Sequence, residues 1–157
     1  MNISLTAPTA VRRWRLCAGA MWVLTALFSL RVFGQAVQRW VPQPWLPPFT
    51  AWQGSSTPYA LLLSIQLLIL GAMATASHGA WHGHTIARRS ALKWLTGLGA
   101  LYVTVAVARI VIGISIETAP AWFRAWISGV FHVVLASFLL AFAGYHLLRQ
   151  TVPATSE

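Results

Sequence analysis

Acidic side chains are almost missing from this chain: Glu117 and Glu157 are the only two among 157 residues, against 11 Lys and Arg. General acid–base or glycosidase chemistry needs two positioned carboxylates, and Glu157 is the last residue, so those chemistries lack their parts. Cysteine is as scarce. Cys17 stands alone inside an apolar segment, which excludes an intramolecular disulfide, a CxxC redox pair and a cysteine zinc site, and reads as a small buried side chain. No GxSxG, HExxH, GxGxxG or P-loop pattern occurs, so hydrolase, dehydrogenase and kinase readings find no support. Charge of either sign is rare, at 8% of residues where soluble domains carry about 25%.

What fills the chain instead is apolar: 57% of residues are hydrophobic. The net charge of +9 would suggest nucleic acid in a soluble protein, but here the basic residues flank apolar runs, as in membrane proteins. The run Ala125–Leu148 carries no Lys, Arg, Asp or Glu over 24 residues, enough for a helix to cross a bilayer core, which takes roughly 20. At ~100° per residue, Ser128, His132, Ala136, Leu139, Ala143 and His146 share one side of that helix. Three small residues and two histidines on one face predict a membrane helix packed against partners.

Four such helices are expected, at about 14–34, 58–77, 91–114 and 125–148. Arg12, Arg13 and Arg15 before Leu16–Leu30 could also open a signal peptide, but the apolar run continues past Arg31 and no A-x-A site follows closely, which favours a first spanning helix. Residues 1–11 read as a flexible tail. Between the first two helices, residues 35–57 carry Pro42, Pro44, Pro47 and Pro48, which forbid a continuous helix, and Trp40, Trp45 and Trp52, which favour the membrane interface. That loop reads as an ordered cap. Gln66 is a lone polar residue at mid-depth, suited to a bond across a helix interface or to a pocket wall. The expected fold is all-α, one domain, an integral membrane four-helix up-down bundle.

Orientation follows the basic residues. The N-terminal segment, the 78–93 connection and the C-terminal segment hold Arg12, Arg13, Arg15, Arg88, Arg89, Lys93 and Arg149; the opposite side holds Arg31, Arg39, Arg109 and Arg124. Both termini are therefore expected in the cytoplasm. Counting ~1.5 Å per residue places Arg31, Arg109 and His132 all roughly 21–25 Å from the cytoplasmic boundary, in the outer leaflet. Gln35, Tyr59 and Glu117 lie near that level. A charge inside the bilayer costs several kcal/mol, so these residues are candidates for holding an anionic or carbonyl-bearing lipophilic ligand. The competing reading has the arginines reach the headgroups, or one of them pair with Glu117.

A second constellation lies at the cytoplasmic side: His78, His82, His84 and His146. His78 and His82 are spaced i,i+4, and histidine is a common ligand of haem iron and transition metals. His132 and His146 are spaced as in two-haem cytochrome b helices, but a matching pair on another helix is missing, so His146 with His78 or His82 is the one bis-His site with both partners. Gly79 and Gly83 equally suit a plain solvated turn.

The first helix ending in LRVFGQ, the long outer loop and the second helix opening PYALLLSIQLLIL together resemble small four-helix bacterial membrane proteins of the DoxX-like group. WLPPF before that helix and FHVVLASFLLAF in the last one are similar to those of an uncharacterised set. The resemblance covers about residues 16–148 and implies a bacterial inner-membrane protein, often of unknown function or accessory to a redox system. It carries no catalytic residue across. The sequence thus points to a non-enzymatic inner-membrane protein, accessory or partner-binding, with a ligand pocket around Arg31, Arg109 and His132 and no resident cofactor expected. The alternative is a redox protein using b-type haem or quinone. A minimal transporter or channel subunit is weaker, since so small a bundle would have to oligomerise. Partners on this reading are the lipid bilayer, a membrane protein or a second copy of the chain, and not nucleic acid.

Overall fold

The computed structural model describes residues 7–53, 57–86 and 88–151, and among these it is helical with no strand. Four long helices form: α1 (Ala7–Trp40), α3 (Tyr59–Trp81), α4 (Arg89–Ser115) and α6 (Trp126–Thr151), with single turns α2 (Phe49–Trp52) and α5 (Ala121–Arg124) between them. Each long helix contains a stretch of 23 to 29 residues, with an 18-residue window of mean hydropathy 1.8 to 2.0 inside it, long and apolar enough to cross a membrane. The exteriors agree: Leu68, Phe33, Ile114 and Trp94 are all more than two-thirds exposed on the bundle surface, which only a non-aqueous surround makes favourable.

The helices run further than their apolar cores. α1 continues six residues past the expected end at 34, through QAVQRW, because nothing breaks a helix until Pro42. α3 runs four residues past Ser77, so His78 does share its last turn and His82 caps it. α1 begins at Ala7, so part of the expected flexible tail is helical. The remainder of the two tails, residues 1–6 and 152–157, and positions 54–56 of the outer loop lie outside the described residues.

Packing places the long helices in the order α3–α1–α6–α4. α1 and α6 form the central pair, α3 packs on α1, and α4 packs on α6 along its length. The predicted face of α6 is the one buried: Ser128, Ala136, Ala143 and His146 are all at most 6% exposed. Ala18, Met21, Phe28 and Val32 of α1 join Met73 and Ala80 of α3 and Phe138 and Tyr145 of α6 in the core. α4 approaches closely through glycines: a Cβ on Gly99 would stand 2.9 Å from Leu140, and one on Gly129 of α6 would stand 2.7 Å from Ile110. α3 and α4, at opposite ends of the order, share no such interface.

Candidate functional site

Arg31 and Arg109 do not reach out of the bundle. Arg31 is 7% exposed and Arg109 is 5% exposed. Arg31 donates from Nη1 to Gln35 Oε1 at 3.1 Å and from Nη2 to the Trp52 carbonyl at 3.4 Å, with its guanidinium 5.3 Å from the Phe131 ring centre. Arg109 donates from Nε and Nη2 to the Trp122 carbonyl at 2.9 and 2.6 Å, and its guanidinium lies 4.2 Å from the Trp122 ring centre. Each arginine thus ties one of the short helical turns, α2 or α5, onto the end of the bundle. Trp52 is itself fastened by its indole N–H, which donates to the Pro47 carbonyl at 3.0 Å. This is how the Pro/Trp-rich loop becomes a cap.

Under that cap lies a cavity of about 350 Å³ whose walls come from all four long helices. Arg31, Arg109 and His132 all line it, so the depth comparison does bring those three together. Gln66, Ser128 and Tyr102 add to the polar part; Leu62, Ile65 and Ile69 of α3 and Val105 and Ala106 of α4 belong to the apolar part. His132 is held in place by Nδ1 against the Ser128 carbonyl and by the edge-on ring of Tyr102, 5.8 Å between centres. Among the described residues its Nε2 makes no hydrogen bond.

Three further candidates stand elsewhere. Gln35 is fully buried behind Arg31, where its Oε1 accepts from both Arg31 and Gln66 Nε2, each at 3.1 Å, so it positions the wall rather than forming it. Tyr59 packs edge-on against Trp40 and Phe49 outside the lining. Glu117 is exposed on the α4–α5 turn, and the bonds of Arg109 go to carbonyls instead. Among the described residues neither cavity arginine has an ion-pair partner. Arg31 Nε and Gln66 Oε1 are buried without a hydrogen bond. The cavity therefore presents two permanent cations, an imidazole and an amide, with no carboxylate among its lining residues.

Sequence reasoning missed Tyr102, Trp122 and Phe131 as site residues. Tyr102 lies two helical turns before Arg109 on the same face, a signal periodicity could have given. The carbonyls of Trp52 and Trp122 carry no sequence signal at all.

At the opposite end, the histidines divide. His78 and His82 are exposed and their rings lie 4.5 Å apart, with His84 beside them at 6.4 Å from His82. His146 is 2% exposed and turned to the α3–α4 connection: its Nε2 accepts from the Ile86 N–H at 3.3 Å, which leaves Nδ1 as the donor to the Phe142 carbonyl at 3.0 Å. Both ring nitrogens are engaged, so ligation by His146 would first have to open a backbone bond. Tyr145 Oη to the His84 carbonyl and Arg149 Nη2 to the Gly83 carbonyl fasten the same connection, with Gly83 in the left-handed region at φ 80°. Among the described residues no group of three or more His, Cys, Asp or Glu converges as a metal site.

Comparison with known protein families, with characterised proteins and with solved structures finds no match for this chain.

Proposed function

We propose that this chain is a non-enzymatic binding protein of a bacterial inner membrane, accessory to a larger system, whose ligand is a lipophilic molecule with an anionic head. One observation carries the reading: Arg31 and Arg109 face a common cavity, buried and, among the described residues, without a counter-charge. Holding two guanidinium groups at this depth costs several kcal/mol, and an anion set between them recovers much of that through charge-assisted bonds. A quinone carbonyl could take the same donors but would leave both cations uncompensated, so the anion is the better complement. The resemblance to DoxX-like proteins and the excess of basic residues at the termini support the inner membrane, with both termini cytoplasmic and the cavity in the outer leaflet.

The test is thermal unfolding of the purified protein in a neutral detergent, with and without dodecyl phosphate. A ligand that binds the folded state at about 100 times its Kd stabilises by ~2.7 kcal/mol, a shift of several degrees. Dodecyl phosphate should raise the melting temperature, dodecanol should not, and Arg109→Gln should remove the response. An equal response from Arg109→Gln or from dodecanol would refute the anionic ligand.

A further inference from the structure

The walls of the cavity are unequal. On the side away from the α1–α6 pair, α3 and α4 both line the cavity without forming a packed interface with each other. Two of the lining residues stand on that side, Ile65 of α3 and Val105 of α4, and both are also open to the exterior, at 44% and 50% exposure. A side chain that borders a cavity and the outer surface at once marks the rim of an opening. This rim faces sideways, into the apolar zone of the bilayer, and its neighbours along the slot are apolar as well: Leu62, Ile69 and Ala106. Towards the loop end Trp52, 9% exposed, covers the cavity, while Trp122, 49% exposed, borders both the cavity and the exterior; the carbonyls of both are held by the two arginines.

Size points the same way. Binding cavities run from ~300 to 1,000 Å³, and about 350 Å³ is near the bottom of that range. A charged head and the first part of one chain fill such a space, and a longer tail has to leave it. The polar lining is gathered on Arg31, Gln66, Tyr102, Arg109, Ser128 and His132, and the apolar lining leads to the slot. The division matches an amphiphile.

Resting on the anionic-ligand reading above, we infer that the site takes a membrane amphiphile laterally: its anionic head sits between Arg31 and Arg109, and its alkyl tail passes out between Ile65 and Val105 into the surrounding leaflet. The class is an alkyl phosphate, an alkyl carboxylate or the anionic head and one chain of a lipid. A soluble anion would find the donors but forfeit the slot.

The experiment uses the full chain in nanodiscs of phosphatidylcholine, with bound ligand read by native mass spectrometry. The probes are dodecyl phosphate and inorganic phosphate, each titrated against wild type, Arg109→Gln, Ile65→Trp, Val105→Trp and Leu68→Trp. Ile65 and Val105 stand at the surface, so a larger side chain there fills the slot without invading the core. Leu68, 75% exposed on α3 and outside the lining, controls for adding an indole to that helix. Wild type and Leu68→Trp should bind dodecyl phosphate alike and inorganic phosphate at least roughly tenfold more weakly, the ordinary worth of burying a couple of methylene groups. Ile65→Trp and Val105→Trp should each weaken dodecyl phosphate by about tenfold or more, a loss of ~1.4 kcal/mol. Melting without ligand checks that both variants remain folded, and the smaller Ile65→Phe should fall between them and wild type. If wild type binds and Arg109→Gln does not, while both slot variants bind as wild type does, the lateral route is overturned and the anionic site stands. Inorganic phosphate binding as tightly as dodecyl phosphate would also overturn it. Failure of wild type to bind either probe, or equal binding by Arg109→Gln, overturns the underlying reading instead.

Discussion

At the scale of single residues, Gln35 matters more for its position than for its chemistry. Its one amide oxygen accepts from Arg31 on its own helix and from Gln66 on α3, so a single acceptor sets the orientation of two cavity walls. Replacing it by Leu keeps the bulk and removes the acceptor, leaving Arg31 Nη1 and Gln66 Nε2 buried without a partner. Unsatisfied buried donors cost about 1–3 kcal/mol each, more when charged. Gln35→Leu should therefore lower the melting temperature by several degrees, and should weaken dodecyl phosphate binding as Arg31 loses its brace. Gln35→Glu supplies an acceptor and a counter-charge. It should keep the fold and yet lose the ligand, because the cation is then neutralised from within. A Gln35→Glu variant that binds as wild type does would show that Arg31 does not act through its charge.

Elements pack here by what they omit. At Gly113 of α4 an added Cβ would lie 2.1 Å from the Phe123 carbonyl oxygen of α5, a backbone atom that no rotamer change can move. Gly113→Ala should push α5 outward and cost about 1–3 kcal/mol, as overpacking does. Because Arg109 holds α5 by the Trp122 carbonyl, the same change should also loosen the cap over the cavity. Gly97 on the same helix meets open space, and Gly97→Ala should leave melting unchanged. Comparison of the two by thermal unfolding separates the close approach from a general intolerance of alanine on α4. At this scale much was readable in advance. The buried face of α6 follows from 3.6-residue periodicity, and the depths of Arg31, Arg109 and His132 follow from helical rise. Rise gives height and says nothing of which way a residue faces around the axis. That is why Tyr59 and Glu117 lie at a suitable level yet outside the lining, and why Gln35, one turn beyond Arg31, sits behind it. The extension of α1 to Trp40 was missed because apolarity ends near residue 34, whereas the helix ends where proline stops it.

For the whole molecule, the order α3–α1–α6–α4 and the two capped ends make a body with a distinct polarity along its axis. One end gathers the proline and tryptophan loop, α5 and the cavity; the other gathers the start of α1, the end of α6 and the α3–α4 connection fastened by Tyr145, His146 and Arg149. The basic residues at the second end favour the cytoplasm, since Lys and Arg near spanning segments are retained there. Orientation decides which leaflet the slot opens to and hence which pool of amphiphiles it can sample, so it can be measured independently of any ligand. In a Cys17→Ala background, which removes the native thiol, Trp45→Cys marks the first end and His82→Cys the second; both native side chains are exposed. With a membrane-impermeant maleimide, intact cells should label Trp45→Cys directly and His82→Cys only after lysis. The reverse pattern would place the cavity in the inner leaflet, leaving the two arginines and the slot as they are but drawing their amphiphile from cytoplasmic-side lipid. Equal labelling of both in intact cells would mean that the basic residues at the terminal end do not set the orientation, and the charge count would lose its force for this chain.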